Sequence, residues 1–216
     1  MILKKTKDSS FTFFNDKIGD TYHSLSGAME EAFLKHAKPS GISLLRKAVI
    51  FDVCFGLGYN SFAAISLFKG DFLEIYCFEC DLEIIKRILD IEMPSDVSLE
   101  YVHIRNFARG ILKGENSYAF GKFKLNFVLG DFREKIKDAK IKADIVFFDP
   151  FSPSKVPEQW SEDVFLDVFS KMNKNGVLTT YSCARKVREN MVKAGFVVKD
   201  GPMIGRRGPG SIGIKR

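Results

Sequence analysis

A doubly wound α/β fold with a mostly parallel sheet is the class this sequence predicts, and three observations carry it. Short apolar runs alternate with segments of helical periodicity from residue 47 onward. Those runs are continuous rather than alternating, the pattern of strands buried on both faces. Several of them stop at a glycine or an acidic residue, as at Gly56, Glu79, Gly130-Asp131 and Asp149-Pro150. Sheets of this kind bind ligands beyond the carboxyl ends of their strands, so the strand ends are where a site is expected.

Residues 1–20 are polar with scattered phenylalanines and are expected to wrap the domain surface. Residues 22–36 place Leu25, Ala28/Met29 and Ala32/Phe33 at helical spacing and predict a helix. Residues 1–46 therefore read as an N-terminal segment ahead of a core at 47–216, all within one domain of residues 1–216. Residues 47–55 (KAVIFDVCF) predict the first central strand, 59–68 a helix, and 74–79 the next strand. Residues 81–91 carry the stripe Ile84, Ile85, Ile88 and Leu89 of a helix. Strands are predicted at 124–129, 143–148 and 176–182, and helices at 161–171 and 184–194. Residues 195–199 and 211–215 suit a closing antiparallel pair.

At 216 residues and 24.4 kDa the chain is long enough to bury a sizeable core. Its 45% hydrophobic and 28% charged residues fit an ordinary globular protein rather than a disordered one. No apolar run approaches the roughly 20 residues of a bilayer span, and the start MILKKTKDSS lacks the apolar stretch of a signal peptide. A cytoplasmic protein with no membrane partner is expected. Cys54, Cys77, Cys80 and Cys183 sit in apolar, strand-like segments and suit buried free thiols in a reducing compartment. The net charge of +6 is compatible with a polyanionic partner.

The segment Asp52-Val53-Cys54-Phe55-Gly56-Leu57-Gly58-Tyr59-Asn60 joins a strand to a helix. Two glycines admit a ligand close to the backbone, and the following helix start offers free N–H groups. The same pattern also serves as a plain strand–helix turn. Ser61 stands where a dinucleotide site wants a third glycine. Glu79 ends the next strand about twenty residues on, where a carboxylate accepts from both ribose hydroxyls. Asp131 ends a third strand, placed to receive an adenine amino group, with Phe132 beside it to cover the ring. Together these strand ends predict an adenosine-containing cofactor.

Asp149-Pro150-Phe151-Ser152-Pro153 resembles the (Asn/Asp)-Pro-Pro-aromatic loop of methyltransferases that act on amino groups. In such chemistry a carboxylate and a backbone carbonyl aim an amine's lone pair at the methyl group. Phe55–Asn60 (FGLGYN) resembles the FGTGLN-like loop of MnmC-type tRNA methyltransferases. Residues 149–160, DPFSPSKVPEQW, resemble their D-x-F-x-P-x-x-N-P-x-x-W signature, with Val156 in place of the Asn. Cys54 stands where methyltransferases commonly carry a glycine. Tyr22-His23-Ser24 is similar to the stand-alone members, and the resemblance spans residues 13–207.

The resemblance implies a class I, Rossmann-like methyltransferase with a seven-stranded sheet and S-adenosylmethionine as cofactor. It implies cofactor contacts from Tyr22, His23, Phe55, Gly56, Gly58, Tyr59, Asn60 and Asp149, beside the strand-end residues Glu79, Asp131 and Phe132. Asp149 and Phe151 become the expected catalytic residues. The implied substrate is the aminomethyl group of a modified wobble uridine in the tRNA anticodon stem-loop. The chain ends just after the signature, so the flavin-dependent oxidase half of bifunctional relatives is expected to be absent. A separate enzyme is then expected to supply the aminomethyl-uridine.

Other features weigh less. Cys77-Phe78-Glu79-Cys80 lacks a second ligand pair, and His23, His36 and His103 lack metal spacing, so no metal is expected. Arg105, Arg109 and Lys113 share a helix face opposite Tyr101, Ile104, Ala108 and Ile111. With Arg206 and Arg207 they are the candidate tRNA contacts, or else an ordinary solvated face. Two rivals remain: an aminopropyltransferase, which needs an acidic polyamine channel, and a catalytically silent RNA-binding module of the same fold.

Overall fold

The computed structural model describes residues 1–93, 98–204 and 208–216. The chain opens with a three-stranded antiparallel sheet of β1 (Ile2–Lys5), β2 (Phe11–Asn15) and β3 (Asp20–Thr21), where only a wrapping coil is expected. Helix α1 (Ala28–Glu31) follows and runs into a π-helical turn, Ala32–Ala37. The helix begins at Ala28 rather than at residue 22. Tyr22 still donates its N–H to the Phe13 carbonyl at 3.0 Å, and His23 donates to Thr12 Oγ1 at 3.0 Å, so both continue the β2 edge. Ala28 N–H then finds Ser10 Oγ at 3.2 Å and Glu30 N–H finds Asp8 Oδ2 at 2.9 Å, which caps the helix from outside.

The core alternates as expected: β4 (Lys47–Val53), α2 (Tyr59–Leu67), β5 (Phe72–Glu79), α3 (Leu82–Arg87), α4 (Ser98–Leu112), β6 (Ser117–Phe120), β7 (Phe123–Leu129), α5 (Phe132–Asp138), β8 (Ala143–Phe148), α6 (Glu162–Ser170), β9 (Met172–Thr180), α7 (Arg185–Lys193), β10 (Val197–Asp200) and β11 (Ser211–Ile214). They form an 8-stranded sheet in the order β10-β11-β9-β8-β4-β5-β7-β6. β4 pairs parallel with β5 on one side and β8 on the other, so the chain reverses direction across the sheet there. That reversal is where open α/β sheets gape for a ligand. β10 and β11 are the closing antiparallel pair. The eighth strand, β6, lies antiparallel to β7 at the edge, a short hairpin arm with no apolar run to announce it.

Successive residues of the central strands feed opposite faces. Ile50, Ile75, Ile145 and Phe147 join the core beneath α2, α3 and α4; Phe51, Val53, Val146 and Phe148 join the core beneath α5, α6 and α7. Phe13, Ala28 and Ala32 belong to the first of these cores, so the N-terminal segment shares its packing with β4. All four cysteines are free, but Cys80 and Cys183 are exposed and only Cys77 is buried, since the other three follow strand ends. Among the described residues no helix is long and apolar enough to cross a membrane.

Gly58 fixes the strand–helix junction. Its backbone is left-handed at φ 75°, and a Cβ there would meet Phe55 Cζ at 2.7 Å and Ile104 Cγ2 at 2.8 Å. Gly58→Ala should therefore lower stability by at least about 2 kcal/mol, from left-handed strain plus overpacking. Urea unfolding of the two proteins measures it; a variant as stable as the parent would show that this junction yields.

Candidate active site

β4 ends in a loop whose backbone is left-handed three times, at Cys54 (φ 63°), Gly56 (55°) and Gly58 (75°). Glu79, the last residue of β5, is the acceptor that holds this loop. Its Oε2 takes the Gly56 N–H at 3.0 Å, and its Oε1 takes the N–H groups of Cys80 at 2.8 Å and Asp81 at 2.9 Å. Burial pushes the Glu79 carboxyl above its ordinary range, against the pull of those three hydrogen bonds. Asp81 caps α3 through the Glu83 N–H and accepts from the Tyr22 hydroxyl at 3.1 Å.

A cavity of about 220 Å³ lies over this loop, with Tyr22, His23, Cys54, Gly56, Glu79 and Phe151 in its walls. A Cβ on Gly56 would stand 3.5 Å from the Tyr22 ring and 3.9 Å from His23 Nε2, so the glycine faces the space that the two side chains border. His23 Nε2 and Gln159 Oε1, both on lining residues, are buried without a protein hydrogen-bond partner. A second cavity of about 120 Å³ adjoins it, and the two share Tyr22, His23, Asp149 and Phe151. Tyr22 and Phe151 meet edge to face at 4.9 Å.

Asp149 leaves the carboxyl end of β8 and reaches both cavities. Asn60 Nδ2 donates to its Oδ2 at 2.9 Å. His36 Nε2 stands 3.6 Å from Oδ1, and His23 Nδ1 stands 3.9 Å from Oδ2. Burial works to raise the Asp149 carboxyl, but His36, His23 and Asn60 together hold it below the ordinary carboxylate range. His23 goes the other way: burial lowers its pKa more than Asp149 restores it. Beneath them Asp52 is pushed up to about 7 by burial, with Ser61 Oγ donating to it at 2.6 Å. The loop after Asp149 is tied down by its carbonyls: Tyr181 Oη donates to Pro150 O at 2.9 Å and Trp160 Nε1 to Phe151 O at 2.8 Å.

The structure gathers Tyr22, His23, Gly56, Glu79, Asp149 and Phe151 around one opening, with Asn60 bound to Asp149. It places other predicted residues elsewhere. Phe55 and Tyr59 are fully buried; Phe55 packs on Phe107, and Tyr59 donates to the Phe11 carbonyl at 2.8 Å. Asp131 caps α5 through the Arg133 N–H, and both its oxygens accept from the Arg133 side chain, because a carboxylate before a helix meets free N–H groups first. Phe132 is buried edge-on against Phe148 at 5.7 Å. The carbonyls of the 150–151 loop, expected to take an amine hydrogen, already accept from Tyr181 and Trp160. Arg105 bends its guanidinium onto the Ile91 carbonyl and over the Tyr101 ring, so it leaves the basic row; Arg109 stays exposed. Arg206 and Arg207 lie outside the described residues. The sequence reading missed His36, whose only signal is burial by distant elements, and Gln159, which lies within the quoted segment 149–160. Among the described residues, no His, Cys, Asp and Glu cluster could hold a metal ion.

Comparison with known proteins decides the family. The profile of the S-adenosyl-L-methionine-dependent methyltransferases matches residues 101–216. The crystal structure of MnmC2 from Aquifex aeolicus superposes with a TM-score of 0.80 at 30% identity, over 98% of this chain and 69% of that one. The chain belongs to the S-adenosyl-L-methionine-dependent methyltransferase family. An uncharacterized protein of Methanocaldococcus jannaschii is 31% identical over 208 residues, 95% of the methyltransferase and 57% of that protein. The bifunctional tRNA 5-methylaminomethyl-2-thiouridine biosynthesis protein MnmC of Leptospira interrogans is 26% identical over 220 residues, of which this methyltransferase spans only 33%. Spermidine synthase from Thermotoga maritima shares the fold alone, with a TM-score of 0.56 at 12% identity.

The residues present fit S-adenosylmethionine. A carboxylate offers about four lone-pair sites, and Glu79 spends three on backbone N–H groups, leaving one on Oε2 for a ribose hydroxyl rather than the two expected. The unpartnered His23 Nε2 and Gln159 Oε1 suit the polar ends of the cofactor. Glu79→Ala should weaken S-adenosylmethionine binding by at least about tenfold, since hydrogen bonds to a charged group contribute about 1.5–3 kcal/mol and the loop loses its acceptor as well. Isothermal titration reads the change; unaltered affinity in a folded variant would take Glu79 out of the methyltransferase's cofactor site.

Proposed function

We propose that the protein methylates the 5-aminomethyl group of a modified wobble uridine in tRNA, giving 5-methylaminomethyl(-2-thio)uridine. One observation carries this reading: an ionised Asp149 stands where the two cavities meet, beside the Tyr22–Phe151 ring pair. The larger cavity takes the cofactor and the smaller one the amine. S-Adenosylmethionine supplies an electrophilic methyl group, which the amine nitrogen attacks while the S–C electron pair stays on sulfur. Asp149 accepts a hydrogen bond from the amine and aims its lone pair along the line of attack. Tyr22 and Phe151 wall the junction and keep water off the methyl group. The secondary ammonium formed leaves with the tRNA and loses its proton to solvent. The similarity to MnmC, a protein of tRNA 5-methylaminomethyl-2-thiouridine biosynthesis, and the net charge of +6 support a tRNA substrate.

The smaller cavity also carries Asp20 and Glu31, which raises the aminopropyltransferase alternative. Both carboxylates are already engaged. Asp20 accepts from the Thr21 and Ser152 N–H groups, and Glu31 from Lys35 and the Ser24 N–H. Lys35 pairs with Glu31, and Asn60 and two histidines surround Asp149. Among the described residues that leaves Asp20 as the carboxylate of this cavity without a cationic or imidazole neighbour, too few for a chain of ammonium groups. Asn60 and Glu79, fixed on Asp149 and Gly56, argue equally against a silent RNA-binding module.

Incubating the protein with aminomethyl-bearing tRNA and labelled S-adenosylmethionine, then digesting to nucleosides for mass spectrometry, tests the substrate. A tRNA whose wobble nucleoside gains no labelled methyl group would overturn the reading. Asp149→Asn should slow single-turnover methylation about 100-fold, the cost of a small misplacement, with tRNA affinity close to the parent's. A rate above roughly a tenth of the parental one, well short of that ~100-fold loss, would make Asp149 a turn residue.

A further inference from the structure

His36 comes from the π-helical turn Ala32–Ala37, where Lys38 N–H closes back onto the Phe33 carbonyl at 2.9 Å. Such widened turns are rare and gather at functional sites. Here the turn buries two successive basic side chains, Lys35 at 3% exposure and His36 at 0%. Lys35 is spent on Glu31, 3.0 Å away. His36 is not spent on its own helix. Its Nδ1 lies 3.3 Å from Thr179 Oγ1 on β9, and its ring edges against Phe147 of β8. Its Nε2 has no hydrogen-bond partner and faces Asp149 Oδ1 at 3.6 Å. Catalytic hydrogen bonds are often this long before substrate arrives and tighten in the complex.

This matters because an amine attacks only when neutral, whereas a bare carboxylate beside it favours the ammonium form. We propose that His36 is the positioning residue of the amine site: its buried imidazolium, donating to Thr179 and toward Asp149, compensates the Asp149 charge so that the amine is aimed without being held protonated. The proposal rests on the reading of Asp149 as the residue that holds the amine. The groups around His36 agree with it. Burial works to lower its pKa, and Asp149 on β8, Glu31 on α1 and Asp52 on β4 together raise it above the ordinary histidine value. His23, from the loop before α1, opposes by its own charge but is itself held toward the neutral form, and the Lys35 ammonium on Glu31 offsets part of that carboxylate's pull, which leaves Asp149 as the chief partner. His36 therefore keeps its proton to higher pH than an ordinary histidine and loses it as pH rises past that raised value.

Two measurements test this. Nitrogen-15 NMR of the imidazoles in the whole protein should show His36 doubly protonated at pH 7, and Asp149→Asn should move its titration down by about one unit or more. In single-turnover methylation of aminomethyl-bearing tRNA, His36→Gln should shift the rising limb of the pH–rate profile upward by about one unit. The variant would then be slow at pH 7 and recover at higher pH. A His36 that is neutral at pH 7, a titration unmoved by Asp149→Asn, or a His36→Gln rate depressed equally at every pH would each overturn the proposal. The NMR arm decides by itself if His36→Gln fails to fold. Parental turnover in Asp149→Asn would instead strike the amine-site reading; slow turnover there with a neutral His36 would strike only the role given to His36.

Discussion

Taking a carboxylate out of water costs several kcal/mol unless charge and hydrogen bonds replace the solvent, and Asp149 is a carboxylate only 9% exposed. Its compensation comes from three separate parts of the chain: Asn60 on α2, His23 in the loop before α1, and His36 in the π-helical turn. Each needs its own element in place, so the position of α2 against β4, the path of the N-terminal segment and the end of β8 are bound to one another through a single anion. The wider neighbourhood follows the same accounting. Asp52, fully buried, is pushed up to about 7 even with His36 and the Ser61 hydroxyl pulling it down, so the pocket floor bears less negative charge than two ordinary carboxylates would give it.

Glu79 does for the loop after β4 what Asp149 does for the end of β8. A loop left-handed at Cys54, Gly56 and Gly58 has no regular ladder, and the Glu79 carboxylate takes its Gly56 N–H together with the N–H groups of Cys80 and Asp81 after β5, tying the two strand ends together. Cys54 shows what the arrangement tolerates. A non-glycine residue at φ 63° carries backbone strain on the order of 1–2 kcal/mol. Its side chain lines the larger cavity, so the strain goes with a thiol wall that glycine would not supply.

The N-terminal segment is more than a wrapper. Tyr22 reaches Asp81 with its hydroxyl and Phe151 with its ring, His23 closes the space over Gly56, and His36 underlies Asp149. Its small sheet and capped helix start hold Tyr22 and His23 extended along β2, pointing them at the ends of the central strands. The cavities are thus roofed by one part of the chain and floored by another.

Much of this was legible from the residues in order. The alternation of apolar runs and helical stripes, the glycine turn after β4, the acid ending β5 and the Asp149-Pro150-Phe151 loop are local patterns, because strand burial and turn conformation are set by residues a few positions apart. The same locality explains the misreadings. Tyr22 and His23 have helical neighbours in sequence, yet β2 takes their backbone before a helix can start. What the sequence by itself determined is the sheet, the family loops and the acids at the strand ends. Only the tertiary structure decided which charges face each other: the imidazole of His36 meets Asp149 through packing across β8 and β9, and neither spacing nor periodicity records such a contact.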